Sequence, residues 1–120
     1  MILSVRSEKN LVGVDDSLVR VVRRAAEITD VDFIVTEGLR TKERQAQLVK
    51  AGASQTMNSK HLIGRAVDLA AVVGGEVRWD WPLYHKLARV MKQAAQELNI
   101  PITWGGDWKT FRDGPHFQLK

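Results

Sequence analysis

Ser59-Lys60-His61-Leu62-Ile63-Gly64-Arg65-Ala66-Val67-Asp68 is the stretch whose reading decides how this chain is built. From Ala66 to Val73 the run is apolar apart from Asp68. As a strand it sets Ala66, Asp68 and Ala70 on one face and Val67, Leu69 and Ala71 on the other. A helix competes, since the spacing from His61 to Asp68 is also two helical turns. Gly64 before the run and Gly74-Gly75 after it favour the strand. An aspartate inside an apolar strand is costly to bury alone, and a cation would resolve that cost. Near the end of the chain, Asp113-Gly114-Pro115-His116 supplies a second imidazole and a further carboxylate, which folding can bring back to the first.

Working outward, Leu18, Val21, Val22, Ala25 and Ala26 repeat at helical spacing after Asp15, Asp16 and Ser17, so a helix is expected from Ser17 to Ile28. Val31 to Thr36 is β-branched and aromatic and reads as a strand entering the turn Glu37-Gly38-Leu39-Arg40. Thr41 caps a helix to about Ala51, with Gly52 as its left-handed stop. The small, polar segment from Ala53 to Lys60 reads as an active-site loop, and residues 76 to 81 as a turn or short ribbon. Asp80 and Pro82 then start the best core helix, with Leu83, Leu87, Val90, Met91, Ala94, Ala95 and Leu98 on its stripe. It ends near Asn99, because Pro101 pushes Ile100 into an extended conformation. Ile102 to Trp104 resembles a strand, Gly105 to Trp108 a loop, and Phe117 to Leu119 a terminal edge strand. Three helices with three or four short strands outside regular βαβ units predict an α+β domain with a small, mainly antiparallel sheet.

The 120 residues suit one domain, burying about two-thirds of the surface exposed when unfolded. With 44% hydrophobic and 27% charged residues, the composition is that of a globular protein rather than a disordered chain. No apolar run approaches the roughly 18 residues of a spanning helix, so no stable membrane insertion is expected. The N-terminus lacks the pattern of a secretory signal, which predicts synthesis in the cytoplasm. Cysteine is absent, so any metal must be held by nitrogen and oxygen. Eighteen basic against fourteen acidic residues give +4, favouring an anionic partner. The bases are scattered, with Arg23-Arg24 as the one adjacent pair, and nucleic acid is not the expected partner.

A catalytic zinc takes three protein ligands and keeps one position for water, whose pKa it lowers to about 7. His61, Asp68 and His116 can supply those three. Asp113, three residues ahead of His116, can then serve as proton carrier, although aspartate before glycine is also common in plain turns. His85, beside Tyr84 in the long helix, has no acidic companion at ligand spacing and reads as structural. Trp79, Trp81, Trp104 and Trp108 read as packing residues, one or two of which can wall the cleft. The motif with two histidines on one helix, the phosphate-binding glycine patterns and a serine elbow are all missing.

The stretch from Ser59 to Asp68 resembles the S-x-H-x-x-G-x-A-x-D signature of the D-alanyl-D-alanine carboxypeptidase group of zinc peptidases, and Asp113 to His116 resembles its second motif. The likeness extends through Glu37 to Arg40 and Trp104 to Trp108. Within the group, the chain looks most similar to the bacteriophage L-alanyl-D-glutamate endopeptidases, endolysins that cut peptidoglycan stem peptides. The resemblance implies a hedgehog/D-Ala-D-Ala-peptidase-like fold and one zinc ion on His61, Asp68 and His116. It further implies Asp113 as acid/base, where the carboxypeptidase branch usually has glutamate, and Arg40 near the scissile carbonyl; a surface salt bridge is the alternative for Arg40. Gln45, Ser59 and Asp107 also fall in matched stretches and are expected to bind substrate or orient other site groups.

The chain is thus expected to be a monomeric catalytic domain over residues 1–120, made in the host cytoplasm and reaching the wall after a separate protein permeabilises the membrane. Its lack of room for a wall-binding domain suggests a Gram-negative target. Two alternatives stay open: a D-alanyl-D-alanine carboxypeptidase and a non-catalytic zinc-bearing wall-binding module.

Overall fold

The structure is a computed structural model describing residues 1–54 and 56–120. Its organising element is the strand expected at Ala66–Val73, the longest of five and the one to which three others pair. Calling the strands β1 (Phe33–Glu37), β2 (Ala66–Val73), β3 (Glu76–Arg78), β4 (Ile102–Trp104) and β5 (His116–Leu119), the order across the sheet is β1-β2-β5-β4. All pairs are antiparallel. Ala71 faces Phe33 on one side and Arg78 on the other, so β3 continues the β5 side of β2 as a hairpin through Gly74-Gly75.

Alternation along β2 divides the sheet as the sequence predicts. Val67, Leu69 and Ala71 join Phe33, Val35, Phe117 and Leu119 in the hydrophobic core. Asp68 points the other way. The core is closed by α2 (Asp16–Ile28) and α4 (Trp81–Leu98), whose stripes Leu18/Val21/Val22/Ala25 and Leu87/Met91/Ala94 are almost wholly buried. Leu83, Val90 and Leu98 sit at the rim, partly buried against that core. The Asp15 side chain caps α2 by accepting from the Ser17 amide.

Two expectations need correction. His116–Leu119 is not an edge strand: it lies between β2 and β4 and pairs with both. A short strand at the end of a sequence reads as an edge, but Ile102–Trp104 has only three residues and needs an inner neighbour to pair with. Among the described residues there are also four helices rather than three, because Val5–Leu11 forms α1 ahead of α2, α3 (Lys42–Lys50) and α4. Only Ser7 and Leu11 of this polar segment are buried, so no apolar stripe announced it. Its role is to cover the outer edge of β1. Ser7 Oγ accepts from the Val35 amide at 3.0 Å and Asn10 Nδ2 donates to the Val35 carbonyl at 2.8 Å, bonds that a neighbouring strand would otherwise make.

Candidate metal and active site

The sheet assembles the site through its register. On the face away from the core, Asp68 of β2 stands opposite His116 of β5 and opposite Glu37 of β1. Glu37 reaches that row because of an irregularity between Val35 and Glu37. Val35 pairs with Leu69 on the core side, and the extra residue Thr36 lets the next pairing, Glu37 with Asp68, fall on the site side. One bulge therefore decides whether a carboxylate faces the site or the solvent.

His61 arrives from above on a single 3₁₀ turn, Lys60–Ile63, which Ser59 caps by accepting from the His61 amide. Gly64 ends the turn at φ 70, and a Cβ there would collide with the Gly13 carbonyl, so the residue answers both to a left-handed backbone and to close packing. His116 and Asp113 come from a turn closed by the His116 amide donating to the Asp113 carbonyl at 3.2 Å. The indole of Trp104 donates to Gly114 O at 2.7 Å, and any side chain at Gly114 would strike the Tyr84 ring, so α4 and β4 hold this turn in place.

The Nε2 of His61 lies 3.2 Å from Asp68 Oδ1, and the Nδ1 of His116 lies 3.5 Å from the same oxygen. One ligand atom from each residue falls within 4.8 Å of the others. The remaining ring nitrogens are already engaged: His61 Nδ1 with the Gly38 carbonyl at 2.8 Å, and His116 Nε2 with Gln118 Oε1 at 2.8 Å. Carbonyl oxygens only accept, so each imidazole carries a proton on that outer nitrogen. In neutral imidazoles two nitrogen lone pairs then face a carboxylate oxygen. Such an arrangement repels itself unless a cation, either added protons or a metal ion, sits among the three. With two imidazoles and one carboxylate the donor set fits zinc.

The same contacts set the electrostatics of the metal-free site. Burial would raise the Asp68 pKa, but hydrogen bonding to His116 and His61 overrides it and holds the carboxyl well below the usual carboxylate range. At His116, burial works to lower the pKa; bonding to Asp68 and the charge of that carboxylate prevail and raise it. Asp113 is pushed up, first by burial and then by the charge of Asp68, against the opposing pull of His116, His61 and Arg40. That leaves a carboxyl able to exchange protons beside one that stays ionised.

Arg40 is nearly buried and clamped. Its Nε and Nη2 donate to the two carboxylate oxygens of Glu37, both at 2.7 Å, and its Nη1 donates to Gln45 Oε1 at 2.7 Å. Nη2 also stands 3.6 Å from Asp68 Oδ2, beyond hydrogen-bond reach. Three of the five guanidinium N–H groups are thereby engaged, and the others remain available.

These groups line a cleft of about 520 Å³, a size suited to a short peptide segment. Its walls include Glu37, Arg40, Ser59, Lys60, Asp113 and Gln118. The expected active-site loop lines it through Ala53, Ser54, Thr56, Asn58, Ser59 and Lys60, with Gln55 outside the described residues. Trp108 walls the cleft as well and packs on the His116 ring at 5.0 Å.

Of the other residues the sequence singled out, Gln45 is fully buried beneath the cleft and donates through Nε2 to Ser54 Oγ and the Thr56 carbonyl, tying Arg40 to the loop. Ser59 acts on the His61 backbone. Asp107 is exposed, bonds Lys92 at 2.7 Å, and lines a separate shallow cleft rather than this one. His85 packs against Trp104 at 5.2 Å. No sequence signal assigns a role to Glu37 or Gln118. Glutamate at a strand end and glutamine two residues past a histidine are ordinary, and only strand register reveals them.

The small antiparallel sheet backed by helices is a fold this chain shares with the D-Ala-D-Ala peptidases. A structure of a mutant form of the vancomycin-resistance D,D-pentapeptidase VanY in complex with Zn(II) matches over 88% of this chain and 72% of that one, with a TM-score of 0.59 at 19% identity. More specifically, the family model for the phage L-alanyl-D-glutamate peptidase matches residues 1–119, and the chain belongs to that family. The L-Ala D-Glu endopeptidase ChiX of Serratia marcescens shares the structure with a TM-score of 0.93 and 50% identity, over 98% of this chain and 89% of that one. The L-alanyl-D-glutamate peptidase of Escherichia phage T5 is 35% identical over 89% of this chain and 81% of its own length. The enzyme of the same name from Listeria phage A118 is 40% identical over 78% of this chain, which spans about a third (32%) of that relative. No helix among the described residues is long and apolar enough to cross a membrane.

Proposed function

We propose that this chain is a zinc-dependent endopeptidase that hydrolyses the L-alanyl–D-glutamate bond of peptidoglycan stem peptides, with residues 1–120 as one catalytic domain and one zinc ion held by His61, Asp68 and His116. The observation that carries this reading is the convergence of three lone-pair donors in the wall of a peptide-sized cleft that Asp113 and Arg40 also line. When bound, the ion supplies a Lewis acid that polarises a carbonyl and acidifies water.

The chain's own residues carry the rest of the chemistry. Asp113 takes a proton from the attacking water and gives it to the amine nitrogen as the C–N bond breaks. Burial disfavours its charged form, which suits it to accepting that proton. Arg40 presents its remaining N–H groups to the carbonyl oxygen as negative charge develops there. Because Glu37 and Gln45 already hold the guanidinium, little reorganisation is required. Trp108 shields the His116 side of the cleft from bulk water. We further propose that the protein acts as a monomer on the wall after synthesis in the host cytoplasm.

Incubating purified sacculi with the zinc-loaded protein and identifying new termini by mass spectrometry tests the bond assignment. New D-glutamate amino termini support it. Free D-alanine would instead indicate a carboxypeptidase, and sacculus binding without new termini a binding module.

A further inference from the structure

Lys60 opens the 3₁₀ turn that delivers His61, and it lines the cleft. Its backbone is fixed there, because its carbonyl accepts from the Gly64 and Arg65 amides. Ion pairs within the cleft run from Arg40, His61 and His116 to Glu37 and Asp68, and none among the described residues involves Lys60. Arg40, the other permanent cation lining the cleft, is taken up by Glu37 and Gln45. Lys60 therefore remains as an uncommitted positive charge in a cleft that also holds the carboxyl groups of Glu37, Asp68 and Asp113.

The substrate proposed above has a need for such a charge. A glutamate acylated on its nitrogen still has two carboxyl groups; one continues the stem and the other stays ionised, close to the bond being cut. With the Arg40 charge already shared with Glu37, and with Asp113 also lining the cleft, that free carboxylate needs a cation that is not yet paired. A lysine ammonium on a flexible four-carbon stem can reach and pair with it without demanding the planar geometry of a guanidinium.

We propose that Lys60 is a specificity residue that binds the free carboxylate of D-glutamate, on the amine side of the scissile bond. This rests on the L-alanyl–D-glutamate reading of the site. It makes the enzyme selective for stems in which that carboxyl is free over stems in which it is amidated.

The test compares two synthetic stem peptides, identical except that the free D-glutamate carboxyl of one is a carboxamide in the other. For zinc-loaded wild type, kcat/KM should favour the carboxylate peptide by about tenfold, the scale of one charge-assisted hydrogen bond. In Lys60→Met the preference should fall to near one, and Lys60→Arg should retain most of it. A preference that survives Lys60→Met, or a wild type indifferent to the carboxyl, overturns the proposal. If neither peptide is cleaved, the bond assignment fails. Calorimetric binding of the two peptides then decides on Lys60 alone, since equal affinity of wild type and Lys60→Met for both would overturn it.

Discussion

Replacing Gln45 with leucine should damage catalysis from beneath the cleft without touching substrate. The Gln45 side chain is fully buried; it accepts from Arg40 and donates to Ser54 Oγ and the Thr56 carbonyl. Leucine keeps the volume and removes all three bonds. Thr56 is exposed and regains water, but the Arg40 side chain is only 8% exposed, so its Nη1 loses its acceptor at a cost of about 1 to 3 kcal/mol. With about 1 kcal/mol more lost from the loop, the total comes to about 2 to 4 kcal/mol. A chain of 120 residues unfolds with an entropy near 0.25 kcal/mol/K, so Tm should drop by about 8 to 16 °C. Because Arg40 and the loop are loosened together, kcat should fall at temperatures where the variant is still folded. Gln45→Glu keeps an acceptor for Arg40 and should retain more kcat than the leucine variant. Scanning calorimetry and peptide cleavage at 20 °C read both effects. A leucine variant melting within about 2 °C of wild type with unchanged kcat would refute the reasoning.

Other outcomes follow from the same geometry. Gln118→Leu removes the acceptor that orients His116, and zinc affinity measured by chelator competition should weaken by about 10- to 100-fold; a change below twofold would count against the tautomer argument. Asp113→Asn should lower kcat by about 10²- to 10⁴-fold while zinc content stays at the wild-type level, as metal analysis of the assayed sample would show. For pH, His116 titrates higher in the folded chain than the ordinary 6.5. Its protonation stabilises the metal-free protein fully below that value, and the contribution is lost as pH rises through the raised folded pKa. Zinc needs the same lone pair, so the gain in Tm on adding zinc should grow with pH across that window; a gain that shrinks would contradict the assignment.

How much of this could be read from sequence depended on whether a residue was out of place locally. Asp68 stood out because a carboxylate amid Val67, Leu69 and Ala71 needs a cation, and the structure places two imidazoles beside it. The helices α2 and α4 were legible because their stripes are long. By contrast, α1 satisfies β1 through Ser7 and Asn10, side chains whose value lies in long-range hydrogen bonds that no periodicity encodes. The inner position of β5 depends on pairing with β4, again a tertiary fact. Glu37 reaches Arg40 and Asp68 through a single bulge, and local composition does not announce an extra residue in a strand. Asp107 shows the reverse case, since it lies in a motif-like stretch yet turns outward to Lys92.

The account stands most directly on whether one zinc ion binds where His61, Asp68 and His116 meet. Quantifying zinc after dialysis in wild type and in Asp68→Ala and His116→Ala, each confirmed folded by circular dichroism, measures this. The account predicts one ion per wild-type chain and little or none in either variant. A folded wild type that retains no zinc, or variants that keep a full equivalent, would contradict it.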